Sequence, residues 1–265
     1  MLPFAQSFLV WAIATAVPAL FGIALVVAVG RRTSPRYSAA FAMGIFFWFF
    51  VDTIEGSSDL NVNAGFAGGV SQAAMVILFA AGVLSFFVID RDVFSQSEGA
   101  RIGGLAIPML AALAIGVHGF GEGTAFGSTA AMTPGSSILD AFGGTTAGVA
   151  YALHKMLEPM MAGALYVAYR ESNTAGAGSR VRDILLLGLL FVVPSLVGAI
   201  TGYFISYDAT FFFALGTGTS IYVALRLAKQ TLQPAAASER QASVKTSVAL
   251  LLGFILIYLA ALLHS

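Results

Sequence analysis

Hydrophobic positions fall in eight long blocks, near residues 7 to 30, 37 to 54, 70 to 90, 102 to 126, 142 to 168, 182 to 205, 209 to 228 and 246 to 264. Each is close to the roughly 20 apolar residues that a helix needs to cross the hydrocarbon core of a bilayer. The connections run from a few residues to at most 17, at 229 to 245. They leave no room for a separate extramembrane module. The pattern predicts an all-α polytopic membrane protein with eight transmembrane helices, a single domain over 1–265. The first block has no basic residue before it and no small-residue cleavage site, so it is read as a span rather than as a removable signal peptide.

Composition strengthens that reading. Hydrophobic residues make up 58% of the chain, charged ones only 10%, and the mean hydropathy is +0.88, far from a soluble domain. The partner implied is the lipid bilayer, and no nucleic-acid partner is expected. Cysteine is absent, which excludes disulfides and thiolate metal ligands, so any metal site must use nitrogen and oxygen donors.

The charges give an orientation. Twelve of the 13 basic residues lie in alternate connections: Arg31, Arg32 and Arg36, then Arg91 and Arg101, then Arg170, Arg180 and Arg182, then Arg226, Lys229, Arg240 and Lys245. The intervening connections at 55 to 69, 127 to 141 and 206 to 208 contain none. Basic residues favour cytoplasmic loops, so both termini are expected outside the cytoplasm. Asp52, Glu55, Asp59, Asp140 and Asp208 fall at or near the opposite face. There they either solubilise the interface or concentrate cations, and Asp52 and Asp208 are the candidate entrance acids.

An internal repeat is visible. Val17-Pro18-Ala19-Leu20-Phe21-Gly22 in span one matches Val193-Pro194-Ser195-Leu196-Val197-Gly198 in span six, 176 residues on. Phe41-Ala42-Met43-Gly44 in span two matches Phe213-Ala214-Leu215-Gly216 in span seven, 172 residues on. Five crossings separate spans one and six, so equivalent helices run in opposite directions. An inverted repeat of spans 1–3 and 6–8 around central spans 4 and 5 is predicted.

Those two central spans hold His118, Glu122, His154, Lys155 and Glu158. Ionisable groups inside a membrane are costly and mark functional sites. His118 to Glu122 and His154 to Glu158 are both i to i+4 pairs, which stacks imidazole and carboxylate on one helix face. Two nitrogens and two carboxylates suit a borderline divalent cation such as Zn²⁺, Fe²⁺ or Mn²⁺. The glycines around His118 let a neighbouring helix approach, and Pro159 frees the carbonyl of Lys155. The bland alternative is that these residues pair only with one another as interhelical glue. His264 reads as an interfacial residue.

With these residues the chain resembles the ZIP (Zrt/Irt-like) family of divalent metal transporters over all eight spans. His118-Gly119-Phe120-Gly121-Glu122-Gly123 is similar to the family's His-Asn-x-Pro-Glu-Gly in span four. His154-Lys155-Met156-Leu157-Glu158 is similar to the matching part of span five, as Phe191 to Phe204 is to span six. The resemblance implies import of metal toward the cytoplasm across a cell membrane, a primary transport site at His118, Glu122, His154 and Glu158, and a homodimer. Family members often carry a second metal, whose ligand positions here are Gly119, Lys155 and Val193, so a binuclear site is not expected. The metal is cargo, and no prosthetic group is expected. Lys155 either stands in for the second ion as a built-in counter-charge or forms an ion pair with Glu158 alone. The protein is expected not to be an enzyme. The competing readings are a transport-inactive metal sensor or scaffold and an intramembrane zinc hydrolase.

Overall fold

A computed structural model describes residues 2–30, 32–48, 70–94, 103–132, 138–169, 177–205, 209–231 and 240–261, and every regular element among them is a helix. In chain order these are α1 (Phe4–Gly30), α2 (35–48), α3 (Val70–Ile89), α4 (Ala106–Met132), α5 (Ile138–Ala141), α6 (Thr145–Leu157), α7 (Met160–Tyr169), α8 (Ala177–Phe204), α9 (Thr210–Thr231) and α10 (Arg240–Ala261). A π-helical turn, Asp90–Phe94, continues α3, and a 3-10 turn, Gly103–Leu105, leads into α4.

Among the described residues, five helical segments are long and apolar enough to cross a membrane: Phe4–Gly30, Ala73–Val93, Ala106–Met132, Ser179–Phe204 and Thr210–Ala228. The apolar part of α10 is shorter, Val244–Leu259. The fourth block extends beyond its expected end, since α4 runs to Met132 and takes up part of the connection expected at 127 to 141. The fifth block is not one helix. It breaks at Glu158-Pro159 into α6 and α7, because proline has no N–H to continue the ladder and its ring clashes with the preceding turn.

Which faces are buried supports a lipid environment independently of hydropathy. Along α1 the outward stripe is Leu9, Ile13, Val17, Phe21, Leu25 and Val29, while the inward one includes Ser7, Thr15 and Gly22. Helix α8 repeats the pattern, exposing Val181, Leu185, Leu189, Val193 and Val197 and burying Asp183 and Ser195. Apolar patches this extensive are rare on soluble monomers and mark surfaces meant for lipid or a partner.

Contacts between helix ends give the order of the bundle. Gly30 at the end of α1 lies against Val167 near the end of α7. The Tyr166 hydroxyl donates to Asp183 near the start of α8 at 3.4 Å, and Arg226 late in α9 donates to Asp90 at the end of α3 at 2.8 Å. Arg32, Arg91, Arg182 and Arg226 therefore share one end of the bundle. At the opposite end the Leu2 N–H donates to the Ala130 carbonyl, and the Tyr203 hydroxyl donates to the Leu2 carbonyl at 2.5 Å.

Helix α4 is the centre of the bundle and packs most extensively on α8. Backbone meets backbone along this seam, because a Cβ placed at Gly123, Gly127, Gly198 or Gly202 would strike a main-chain atom of the facing helix. Such close approach is how membrane helices gain van der Waals contact without a hydrophobic drive between them. Overpacking a tight seam costs about 1–3 kcal/mol, so Gly202→Val should lower the unfolding temperature in detergent, whereas lipid-facing Val197→Leu should leave it unchanged. Equal melting of the two variants would mean that the seam is not packed backbone to backbone.

Candidate metal centre

His118 and Glu122 sit in the middle of α4, where glycines keep the neighbours close. Gly216 of α9 lies against the backbone of His118, and Gly121 faces the Phe213 ring. His154 and Lys155 are in the last turn of α6, and Glu158 is its C-cap, with its N–H donating to the His154 carbonyl at 3.0 Å. The approach to α6 requires glycine, since Gly143 and Gly144 take φ of 84° and 106°, a region unfavourable for side chains. Beyond Pro159 the ladder resumes with the Met161 N–H donating to the Glu158 carbonyl at 3.2 Å. The break therefore holds Glu158 at the join of two half-helices, deep in the bundle.

Ligand-capable atoms of His118, Glu122 and Glu158 all lie within 4.8 Å of one another. His118 Nε2 is 3.7 Å from Glu122 Oε1, and His154 Nε2 is 3.1 Å from Glu158 Oε1. Three of the four expected ligands thus converge. His154 joins through Glu158 and lies outside the mutual triad. All are buried except Glu122, whose side chain is 17% exposed.

Lys155 occupies the space between the carboxylates. Its Nζ donates to Glu158 Oε2 at 2.6 Å and also to Glu122 Oε2 from the facing helix. The pairing is thus with both glutamates, not with Glu158 alone. The ammonium is fully buried, and it lies 5.6 Å from the ring centre of Tyr151 and 5.4 Å from that of Phe191, within cation–π range. Donor chemistry fits a divalent metal, since nitrogen and carboxylate oxygen are standard ligands. Tetrahedral bonds of about 2.1 Å would bring the ligand atoms to about 3.4 Å from one another, so an incoming ion would have to draw the triad inward and displace the ammonium.

Several residues around the site had no signal in their spacing. Toward the arginine-free end, Trp11 stacks on Phe126 at 4.3 Å and lies 4.6 Å from Tyr151, with Phe142 against all three. The Tyr151 hydroxyl is 2.8 Å from Thr15 Oγ1. On α8 the position next to the site is Ser195, which accepts from Trp11 Nε1 at 3.2 Å and lies beside Gly119. Val193, where the family resemblance puts a second-metal ligand, is 46% exposed on the outward stripe. Asp52 and Asp208 lie outside the described residues. Asp140 is exposed on α5.

Removing one partner from a buried ion-pair network leaves uncompensated charge and costs about 3–5 kcal/mol. Lys155→Met should therefore melt well below wild type without metal, while Glu122→Gln, which leaves the Lys155–Glu158 pair intact, should lose less. Indistinguishable melting of Lys155→Met and wild type would remove the structural role of the pair.

Neither a family model nor a curated protein matches this chain.

Proposed function

We propose that the protein transports divalent transition-metal cations, Zn²⁺ foremost and Fe²⁺ or Mn²⁺ by the same chemistry, toward the cytoplasm through a single site in the manner of the ZIP family. The observation that carries this reading is the convergence of His118, Glu122 and Glu158 within 4.8 Å inside a bundle whose outer surface is apolar. His154 is the fourth ligand, reached as the ion pulls Glu158 inward. The chain crosses the membrane eight times, with α6 and α7 together as the fifth span and both termini outside. Asp52 and Asp208 would draw cations to the outer face. A cell-membrane location and a homodimer follow from the resemblance alone.

The inverted repeat is supported by how its halves pack. Gly22 of α1 presses on the Met156 carbonyl of α6, and its repeat partner Gly198 of α8 presses on the Phe120 carbonyl of α4. Gly44 of α2 meets α10 at Leu250, while α9, the helix equivalent to α2, meets α3 through Gly218 and Phe79. Each central span is thus clasped by the equivalent helix of a different half. Rocking of the repeats about this pair would open the site to alternate sides.

Lys155 acts as the resident cation. It holds both glutamates while metal is absent, and it opposes the ion once metal arrives. At about 6 Å and an effective dielectric of 20, an ammonium repels a divalent ion by roughly 5 kcal/mol before relaxation. This keeps binding weak enough for release. A transport-inactive sensor is the second reading, and the lodged ammonium is the observation in its favour.

Zinc or iron flux into proteoliposomes decides between them. Wild type should transport, and His118→Ala and Glu158→Ala should lose about tenfold or more of the initial rate, each ligand being worth at least as much as an outer-sphere partner. Metal binding without flux in wild type would favour the sensor. Lys155→Ala should bind metal more tightly and turn over more slowly, and unchanged affinity and uptake would sink the counter-charge role.

A further inference from the structure

Away from the metal centre, a cavity of about 460 Å³ opens on the outer surface where α1, α2, α7 and α10 meet. Its walls are hydrocarbon over most of their length, with Leu25, Val29, Phe41, Met160, Ala249 and Leu252 among them. One end differs. Thr33, Tyr37 and Ser38 line it with hydroxyls, and this corner is fixed by Thr33 Oγ1 donating to the Gly30 carbonyl at 2.7 Å and lying 3.0 Å from Ser38 Oγ.

That polar end belongs to the arginine-bearing end of the bundle. Exposed Arg32 is next to Thr33, and half-buried Arg36 is next to Tyr37. Exposed Lys245 lies one turn before Ala249 on α10, and i to i+4 positions share a helix face. Arg32 and Arg36 adjoin two of the lining residues in sequence and Lys245 precedes a third by one turn, so three basic residues from two separate segments stand at the end of the slot where its hydroxyls lie. No acidic residue lies among the residues lining the cavity.

We infer that this groove is a binding site for one anionic phospholipid of the leaflet at the basic end. An acyl chain fills the slot down to Met160, and the phosphate is held by Arg32, Arg36, Lys245 and the hydroxyl of Tyr37, at a corner that the Thr33 and Ser38 hydroxyls fix by their own hydrogen bonds. A bilayer lipid matches both parts at once: hydrocarbon burial favours the chain, and juxtamembrane basic residues attract anionic headgroups. The site stands on α1, α2, α7 and α10 and does not depend on the metal reading.

The test is native mass spectrometry of the full chain in detergent, titrated separately with palmitoyl-oleoyl phosphatidylglycerol and phosphatidylcholine. Wild type should retain one phosphatidylglycerol about tenfold more tightly than phosphatidylcholine, as several basic contacts predict. Val29→Trp, at an outward position 60% exposed, should block the slot and remove the retained lipid of either kind. Leu252→Trp, 57% exposed on the opposite wall, gives the same readout if Val29→Trp fails to fold. The triple variant Arg32→Gln, Arg36→Gln, Lys245→Gln should keep the retained lipid but lose the preference between headgroups. Equal retention of the two lipids by wild type, or an undiminished phosphatidylglycerol complex in a folded slot-blocking variant, would overturn the inference.

Discussion

The bundle is organised around one electrostatic constraint, which is that two carboxylates and an ammonium buried among apolar helices must be met by one another. Lys155 and Glu158 come from the break between α6 and α7, and Glu122 comes from α4, so the ion pairs tie two elements that have no covalent reason to be aligned. Desolvation of each charge costs several kcal/mol, and only close, hydrogen-bonded partners offset it. The network is not neutral. Two carboxylates against one ammonium leave one formal negative charge when both imidazoles are neutral, and that excess would suit a cation.

Packing elsewhere serves this centre. The glycines of the α4–α8 seam bring the helices together until backbone touches backbone, which fixes α4, and Glu122 with it, against α8. The positive-φ pair Gly143 and Gly144 sets the angle at which α6 enters. Pro159 ends α6 where Glu158 must point inward. Irregular backbone at membrane depth is tolerated where protein surrounds it, and here Met160, Met161 and Leu165 of α7 are buried on the far side of the break.

What could be read from sequence follows from which interactions are local. The i to i+4 pairs were legible because helical spacing alone puts His118 over Glu122 and His154 over Glu158. The one-ended distribution of arginines was legible too, since alternate connections reach the same side, and contacts such as Asp90 with Arg226 bear it out among the described residues. The second partner of Lys155 was not legible, because Glu122 is 33 residues away and only the packing of α4 on α6 and α7 brings it near. The aromatic stack of Trp11, Phe126, Phe142 and Tyr151 is assembled from distant segments, each with an ordinary aromatic. On α8 a proline motif marks a helix but not its rotation, and the seam with α4 turns Ser195 inward and Val193 outward.

On the proposed reading, the same lysine explains why one ion would suffice where members of the ZIP family, which the chain resembles, often carry two. A second metal would add two positive charges beside the first and require further carboxylates, whereas an ammonium adds one and is tethered. The tether matters mechanically. If a divalent ion took both glutamates, the ammonium would lose those partners but not its aromatic surroundings, since the rings of Tyr151 and Phe191 stand 5.6 and 5.4 Å from it in the metal-free arrangement. Aromatic faces stabilise a desolvated cation by about 2 kcal/mol, less than the loss of a buried ion-pair partner costs. Metal binding would therefore always compete with a return of the lysine, and on release of the ion the pairs with Glu122 and Glu158 would re-form without waiting for an ion from solution.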